Sequence, residues 1–202
     1  MGKTEQAVTN LQRAVTLDPD FAEAYENLAN ILQAAGDFHQ AESHFKTSIA
    51  LDPESVAAHF NYGRALAAKG MLDRGQAEFE TALRLDPDSP EAATSLGILL
   101  AMKGQLDLAI KHYRHAIQVQ PQFLLARLHL ALALISRGDR QEAKQLLQSV
   151  IRSDPNDHQA QLELGKILLS EGNRDAAAVC FRKASESPQA ELRTAAQRLL
   201  KR

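Results

Sequence analysis

The sequence predicts an all-α protein built as a tandem array of helix–turn–helix units, and three observations carry that prediction. Prolines recur at Pro19, Pro53, Pro87, Pro121 and Pro155, always 34 residues apart. Glycines recur with the same step at Gly36, Gly70, Gly104, Gly138 and Gly172, with Gly2 in phase. The 16 residues between each proline and the next glycine, and the 16 between that glycine and the next proline, both carry helical spacing of apolar residues. Proline suits a helix start or the turn before it, and glycine readily takes the left-handed conformation that ends a helix.

The elements follow in order. Residues 1–21 read as a half repeat, a second helix without its partner. Residues 22–189 read as five full pairs, and 190–202 as a C-terminal capping helix. Asp20, Ser55, Ser89 and Asp157 are candidate N-caps for first helices, since their side-chain oxygens can accept from the orphan N–H groups there. Pro90, just after Ser89, fits a first helical position. In the first helices, Leu28, Tyr62, Leu96, Leu130 and Leu164 form a large apolar column. Beside it runs a small one, Ala29, Gly63, Gly97, Ala131 and Gly165. In the second helices, Ala7, Ala41, Gly75, Ala109, Ala143 and Ala177 are small, and Leu11, Phe45, Phe79, Tyr113, Leu147 and Phe181 are large. Ala14, Ser48, Ala82, Ala116, Val150 and Ala184 follow as a third packing column. Small residues let helices approach, and large ones fill the gap.

A half repeat leaves a face that normally packs on a neighbour, so the chain reads as a piece of a longer one. At the other end, Leu192, Ala196, Leu199 and Leu200 can cover the last pair while Arg193, Arg198, Lys201 and Arg202 meet water, which reads as a native cap.

Composition narrows the function. With 45% hydrophobic and 24% charged residues in 202, the chain can bury a core. A net charge of −2 argues against a nucleic-acid binder that works by phosphate neutralisation. The single cysteine, Cys180, excludes an internal disulfide framework and a cysteine metal cluster. No apolar run reaches the roughly 18 residues needed to span a bilayer, and the N-terminus lacks an apolar signal core. Cytoplasm is taken as the default compartment, since a piece of a longer chain need not carry its parent's signal.

The 34-residue period and its Leu, Gly/Ala, Ala, Phe/Tyr, Ala and Pro columns resemble the tetratricopeptide repeat (TPR) family over nearly the whole chain. The resemblance implies a right-handed superhelical α-solenoid whose first helices line a concave groove. One column departs from the family pattern. A position usually held by a bulky aromatic reads Tyr25, His59, Ala93, Arg127 and Gln161, so packing there is expected to weaken toward the C-terminus.

Chemistry is sparse. His112 and His115 lie three apart on one second helix, but no cysteine or carboxylate joins them at metal-ligand spacing. His59 sits in the packing column and reads as structural. Cys180, beside Phe181, reads as a buried thiol with no orienting base. The glycines are spread one per repeat, which is not a phosphate loop, and no G-x-S-x-G elbow occurs. The expectation is no enzyme, no metal and no cofactor.

Function is then expected in the groove, on first-helix positions not consumed by packing. In the early repeats these are Glu23, Glu26, Asn27, Asn30, Ala57, Phe60, Asn61 and Arg64. Asparagine offers both a donor and an acceptor, so it can pair with any extended backbone. Asn27 and Asn61 occupy equivalent places, similar to the asparagine ladder in the TPR domain of O-linked N-acetylglucosamine transferases. The ladder ends there, because Ser95, His129 and Glu163 follow. Asn30 and Asn61 would fit the carboxylate clamp of chaperone-binding TPR domains, but the clamp is not expected in this register. Glu26, Glu91 and Ser95 stand where its basic residues should be, and the two glutamates would repel a carboxylate.

The stretch 124–135 is apolar on almost every face. Leu125, Leu128 and Leu132 lie apart from its core face, and with Leu162 ahead and Ile98 behind they read as an apolar patch toward the groove. The plainer account is that inner helices touch two neighbours and need extra apolar surface. The predicted site is thus Asn27, Asn30, Asn61, Arg64, Ser95, Leu125, Leu128, His129, Leu132 and Leu162. Leu128→Asp is expected to abolish partner binding with helicity intact.

Charge divides unevenly. Residues 1–101 hold 7 Lys/Arg and 15 Asp/Glu, net −8; residues 102–202 hold 16 and 10, net +6. That could steer a bipolar partner or favour head-to-tail pairing of copies through the uncapped half repeat. The expected function is a non-enzymatic scaffold that binds a protein or peptide, with no nucleic-acid or membrane role. The alternatives are a targeting arm of a larger enzyme, such as a glycosyltransferase, and a self-associating scaffold.

Overall fold

A computed structural model describes the backbone of residues 2–201 and the side chains of residues 5–201. Among the described residues there are twelve α-helices and no strand. They are α1 (Gly2–Leu17), α2 (Ala22–Ala34), α3 (Phe38–Leu51), α4 (Val56–Ala68), α5 (Leu72–Leu85), α6 (Pro90–Met102), α7 (Leu106–Val119), α8 (Leu124–Arg137), α9 (Arg140–Ser153), α10 (His158–Ser170), α11 (Arg174–Ala184) and α12 (Ala190–Leu200). The chain divides inside α6 into two compact units, one ending at Leu99 and the other starting at Leu100.

The glycine ladder ends helices because of backbone conformation, not lack of space. Gly36, Gly70, Gly104, Gly138 and Gly172 all have φ between 75° and 102°. A Cβ built at any of them would meet nothing within 4 Å. After α8, Gly138 N–H donates to Leu134 O at 2.9 Å and Asp139 N–H to the same carbonyl at 2.8 Å, satisfying a helix-end acceptor.

The proline ladder lies in the turns between pairs, and three of the four predicted caps form. Ser55 Oγ accepts from Ala58 N–H at 3.2 Å, Ser89 Oγ from Ala92 N–H at 3.2 Å, and Asp157 Oδ1 from Ala160 N–H at 2.8 Å. Asp20 does not cap α2. Phe21 holds the cap position without a side-chain bond, and Asp20 N–H instead donates to Asp18 Oδ1 at 3.1 Å. The same turn recurs: Glu54 N–H donates to Asp52 at 3.2 Å, Asp88 N–H to Asp86 at 3.2 Å, and Asn156 N–H to Asp154 at 3.0 Å. The Asp before each of these prolines therefore closes an Asx turn that positions the next helix.

The core follows the columns. Phe45, Phe79, Tyr113, Leu147 and Phe181 are at most 2% exposed, and Ala41, Ala109, Ala143 and Ala177 at most 1%. Where glycine replaces alanine, the approach is closer still. A Cβ on Gly63 would lie 2.9 Å from the Phe79 ring, and one on Gly165 2.5 Å from the Phe181 ring. In the first unit α2 packs on α3, α4 on α5, and α4 also meets α2 and α3. In the second, α8 packs on α7 and α9, α10 on α9 and α11, and α12 lies against α10 and α11.

The divergent column corrects the expectation of weakening packing. His59 is 8% exposed, Ala93 0% and Gln161 7%, with no decline along the chain. The polar members also bond the turns. His59 Nε2 lies 3.2 Å from Pro53 O, and Gln161 Nε2 donates to Pro155 O at 3.2 Å. Each ties a first helix to the proline turn before it. His59 Nδ1 also meets Glu78 Oε2 at 2.6 Å, joining α4 to α5.

Candidate peptide-binding faces

In the first unit, α2 and α4 lie in contact, so side chains one repeat apart share a face. Glu23 and Asn27 are exposed on it, and Glu26, Asn30 and Asn61 are half-buried. Asn61 Nδ2 donates to Glu26 Oε1 at 2.8 Å. One of the two ladder asparagines thus spends its amide on a neighbouring repeat, and the other, Asn27, faces outward. Arg64 is exposed and lies over the Phe60 ring, 5.7 Å from its centroid. That ring in turn tilts against Phe79 at 5.9 Å. Ser95, on α6, is half-buried.

Next to Asn27 a cleft of about 370 Å³ opens between the start of α2, the end of α3 and the start of α4. Ala22, Glu23, Glu26, Asn27, Ser48, Asp52, Ser55 and Ala57 line it. Three lining carboxylates and no lining Lys or Arg make it acidic. Ser48, Asp52 and Ser55 were not read from sequence as site residues. Ser48 stood in a packing column and the others in a turn, and only the Asp-Pro pair hinted that the turn has a fixed shape.

In the second unit the apolar face of α8 is narrower than the sequence suggests. Leu125 is 47% exposed, and Leu128 and Leu132 are half-buried. Leu162 is 2% exposed and belongs to the packing of α10, so it forms no open wall. The half-burial of Leu128 and Leu132 accords with an inner helix that packs on two neighbours, α7 and α9. His129 stacks on the Tyr113 ring at 5.9 Å. Burial pulls its pKa below the ordinary histidine value, with Asp157 acting in the opposite direction. The stacked ring is a packing element here.

Other polar groups serve structure. Glu42 on α3 accepts from Arg74 of α5 at 2.6 Å, Lys46 at 2.9 Å and Tyr62 of α4 at 3.0 Å. The Arg74 hydrogen bond, then that of Lys46, hold its carboxyl at about 2, well below the usual carboxylate range. Cys180 is 8% exposed, and burial pushes its thiol pKa up. His112 and His115 are half-buried on α7. Among the described residues, no group of three or more His, Cys, Asp or Glu is placed to hold a metal ion, and no helix is long and apolar enough to cross a membrane.

Family models describing a tetratricopeptide repeat match residues 32–99, 100–162 and 134–202, and one describing a TPR repeat matches 1–36. A comparison with curated protein sequences gave no match. Among solved structures, YrrB, described as a TPR protein with an unusual peptide-binding site, is 24% identical with a TM-score of 0.71, covering 93% of this chain and 97% of that one. MamA is 25% identical with a TM-score of 0.71, covering 79% of this chain and 93% of that one. PilF of Pseudomonas aeruginosa is 20% identical with a TM-score of 0.86, covering 98% and 90%.

Proposed function

This chain belongs to the tetratricopeptide repeat family, and we propose that it is a non-enzymatic interaction module that holds an extended peptide on the shared face of α2 and α4. The observation that carries this reading is the exposed Asn27 amide beside an open cleft. An outward amide can pair with a peptide N–H and C=O whatever the peptide's side chains. Asn30 and Arg64 add polar contacts on the same face. The Asn61–Glu26 bond fixes the wall on which Asn27 stands, which lowers the ordering cost of binding. YrrB, of like fold, is described as having a peptide-binding site.

In the second unit, Leu125 on α8 offers a separate apolar contact, flanked by the half-buried Leu128 and Leu132. Leu125 tests this contact better than Leu128, because an Asp at the half-buried Leu128 would disturb packing as well as binding. The experiment is a titration of the intact chain with peptides recovered from a random display library. Asn27→Ala is expected to weaken binding about tenfold, in line with loss of one or two peptide hydrogen bonds. Leu125→Asp is expected to weaken those peptides that carry an apolar anchor. Unchanged affinity in Asn27→Ala would overturn the amide-face reading.

A further inference from the structure

Arg64 is held in place by a ring and not by a charge. Its guanidinium carbon lies 5.7 Å from the centroid of the Phe60 ring, and that ring tilts against the buried Phe79 at 5.9 Å. Among the described residues no ion pair or hydrogen bond engages the Arg64 guanidinium. Lys46 and Arg74 of the same unit show the ordinary arrangement, since both are paired with Glu42. Stacking on a ring restrains the guanidinium plane but leaves the N–H groups along its edge open. Such a fork is preorganised for a planar acceptor with two oxygens.

Position gives this group a part in peptide recognition. Arg64 stands three residues on from Asn61 and so shares its helix face. α4 is in contact with α2, which carries Asn27 and Asn30. The acidic groups of the unit do not decide the sign at this place. Glu26 already accepts from Asn61 at 2.8 Å. Glu23 corresponds in repeat register to Ala57, seven residues before Arg64. Seven residues of helix rise are about 10 Å, beyond the screening length of about 8 Å at physiological salt.

We infer that Arg64 gives the α2/α4 face a preference for peptides that carry an aspartate or glutamate, whose side-chain carboxylate accepts from the open edge of the guanidinium. The inference rests on the peptide-binding reading of that face and adds the class of peptide. Asn27 holds backbone, which all peptides share, and Arg64 reads one side chain further along the same face.

The test is a backbone-amide NMR titration of the intact chain with end-blocked hexaserine and with versions of it that carry a single glutamate at each position in turn. The same versions with glutamine are the neutral control. At one position the glutamate peptide should bind about fivefold more tightly than its glutamine counterpart. Arg64→Gln should erase that difference and leave hexaserine within about twofold of its affinity for the wild type. The substitution leaves the fold intact, because Arg64 is exposed. Arg64→Lys keeps the charge without the planar fork and should recover only a small part of the gain; full recovery would overturn the fork. If glutamate and glutamine peptides bind alike, or the glutamate advantage survives Arg64→Gln, the acidic preference falls and the amide-face reading stands. If hexaserine with a free C-terminus gains as much through Arg64 as the best glutamate peptide, the ligand is a terminal carboxylate and the side-chain assignment falls. If no peptide shifts the α2 and α4 amides, both readings fall.

Discussion

An aspartate before a turn proline supplies a side-chain acceptor for the first N–H after the proline. At Asp18, Asp52, Asp86 and Asp154 that oxygen takes the N–H two residues on. The fourth of these turns has Gln120 in the same place. Its backbone, φ −126° and ψ 91°, nearly matches that of Asp86, −130° and 89°. Gln120→Asp should therefore close the missing Asx turn without strain and stabilise the chain by about 0.5–1 kcal/mol. A raised urea midpoint with unchanged slope would bear this out; a lowered one would refute it. The glycines separate into two kinds at the same scale. Gly172→Ala meets no atom but is held at φ 82°, a cost of about 1–2 kcal/mol. Gly165→Ala keeps an ordinary helical backbone but drives a methyl group into the Phe181 ring, an overpacking cost of about 1–3 kcal/mol. Phe181→Leu should partly rescue the second substitution and leave the first unaffected, as read by thermal melts of the double variants.

At the scale of the element, helices are joined by a few polar clusters as well as by the columns. Glu42 links α3 to Tyr62 of α4 and Arg74 of α5. Its carboxyl sits at about 2 in the fold against an ordinary 4.5. The folded value is the lower one, so the cluster stabilises fully above pH 4.5 and loses its contribution as pH falls toward 2. Glu42→Gln should therefore melt lower than the wild type at pH 7, and the gap should close between pH 4.5 and pH 2. A gap independent of pH would sink the assignment. The links between helices in this cluster were not legible in the sequence, because Tyr62 and Arg74 stand 20 and 32 residues from Glu42 and share no column with it. The helices were legible because a positive-φ glycine and a proline turn are each demanded by the backbone alone. The open face was less so. Whether Asn61 is free depends on Glu26 in the previous repeat, and whether Leu162 is exposed depends on how its helix packs. Ser48 shows the limit most clearly, since its column marks it as packing and it is indeed buried, yet it lines the cleft.

Within each unit, helices pack on neighbours one or two along the chain, as α2 does on α1, α3 and α4, and α10 on α9, α11 and α12. Stability in such an array is a sum of local terms and neighbour interfaces, so damage should fade with distance along the chain. Phe45 provides the test. Its ring is 0% exposed, packs against Tyr62 at 5.5 Å and sits in a cluster with Ala29, Ala41, Ala65 and Leu66. Phe45→Ala should cost about 3–5 kcal/mol locally. Hydrogen exchange should then accelerate in α2, α3 and α4, while α9, α10 and α11 keep wild-type protection. A protein with one shared core would lose protection everywhere by the same factor. Uniform acceleration across all these helices would therefore refute local cooperativity. Confinement to the first unit would mean that the α2/α4 face can loosen or tighten around a peptide while the distant helices hold their structure.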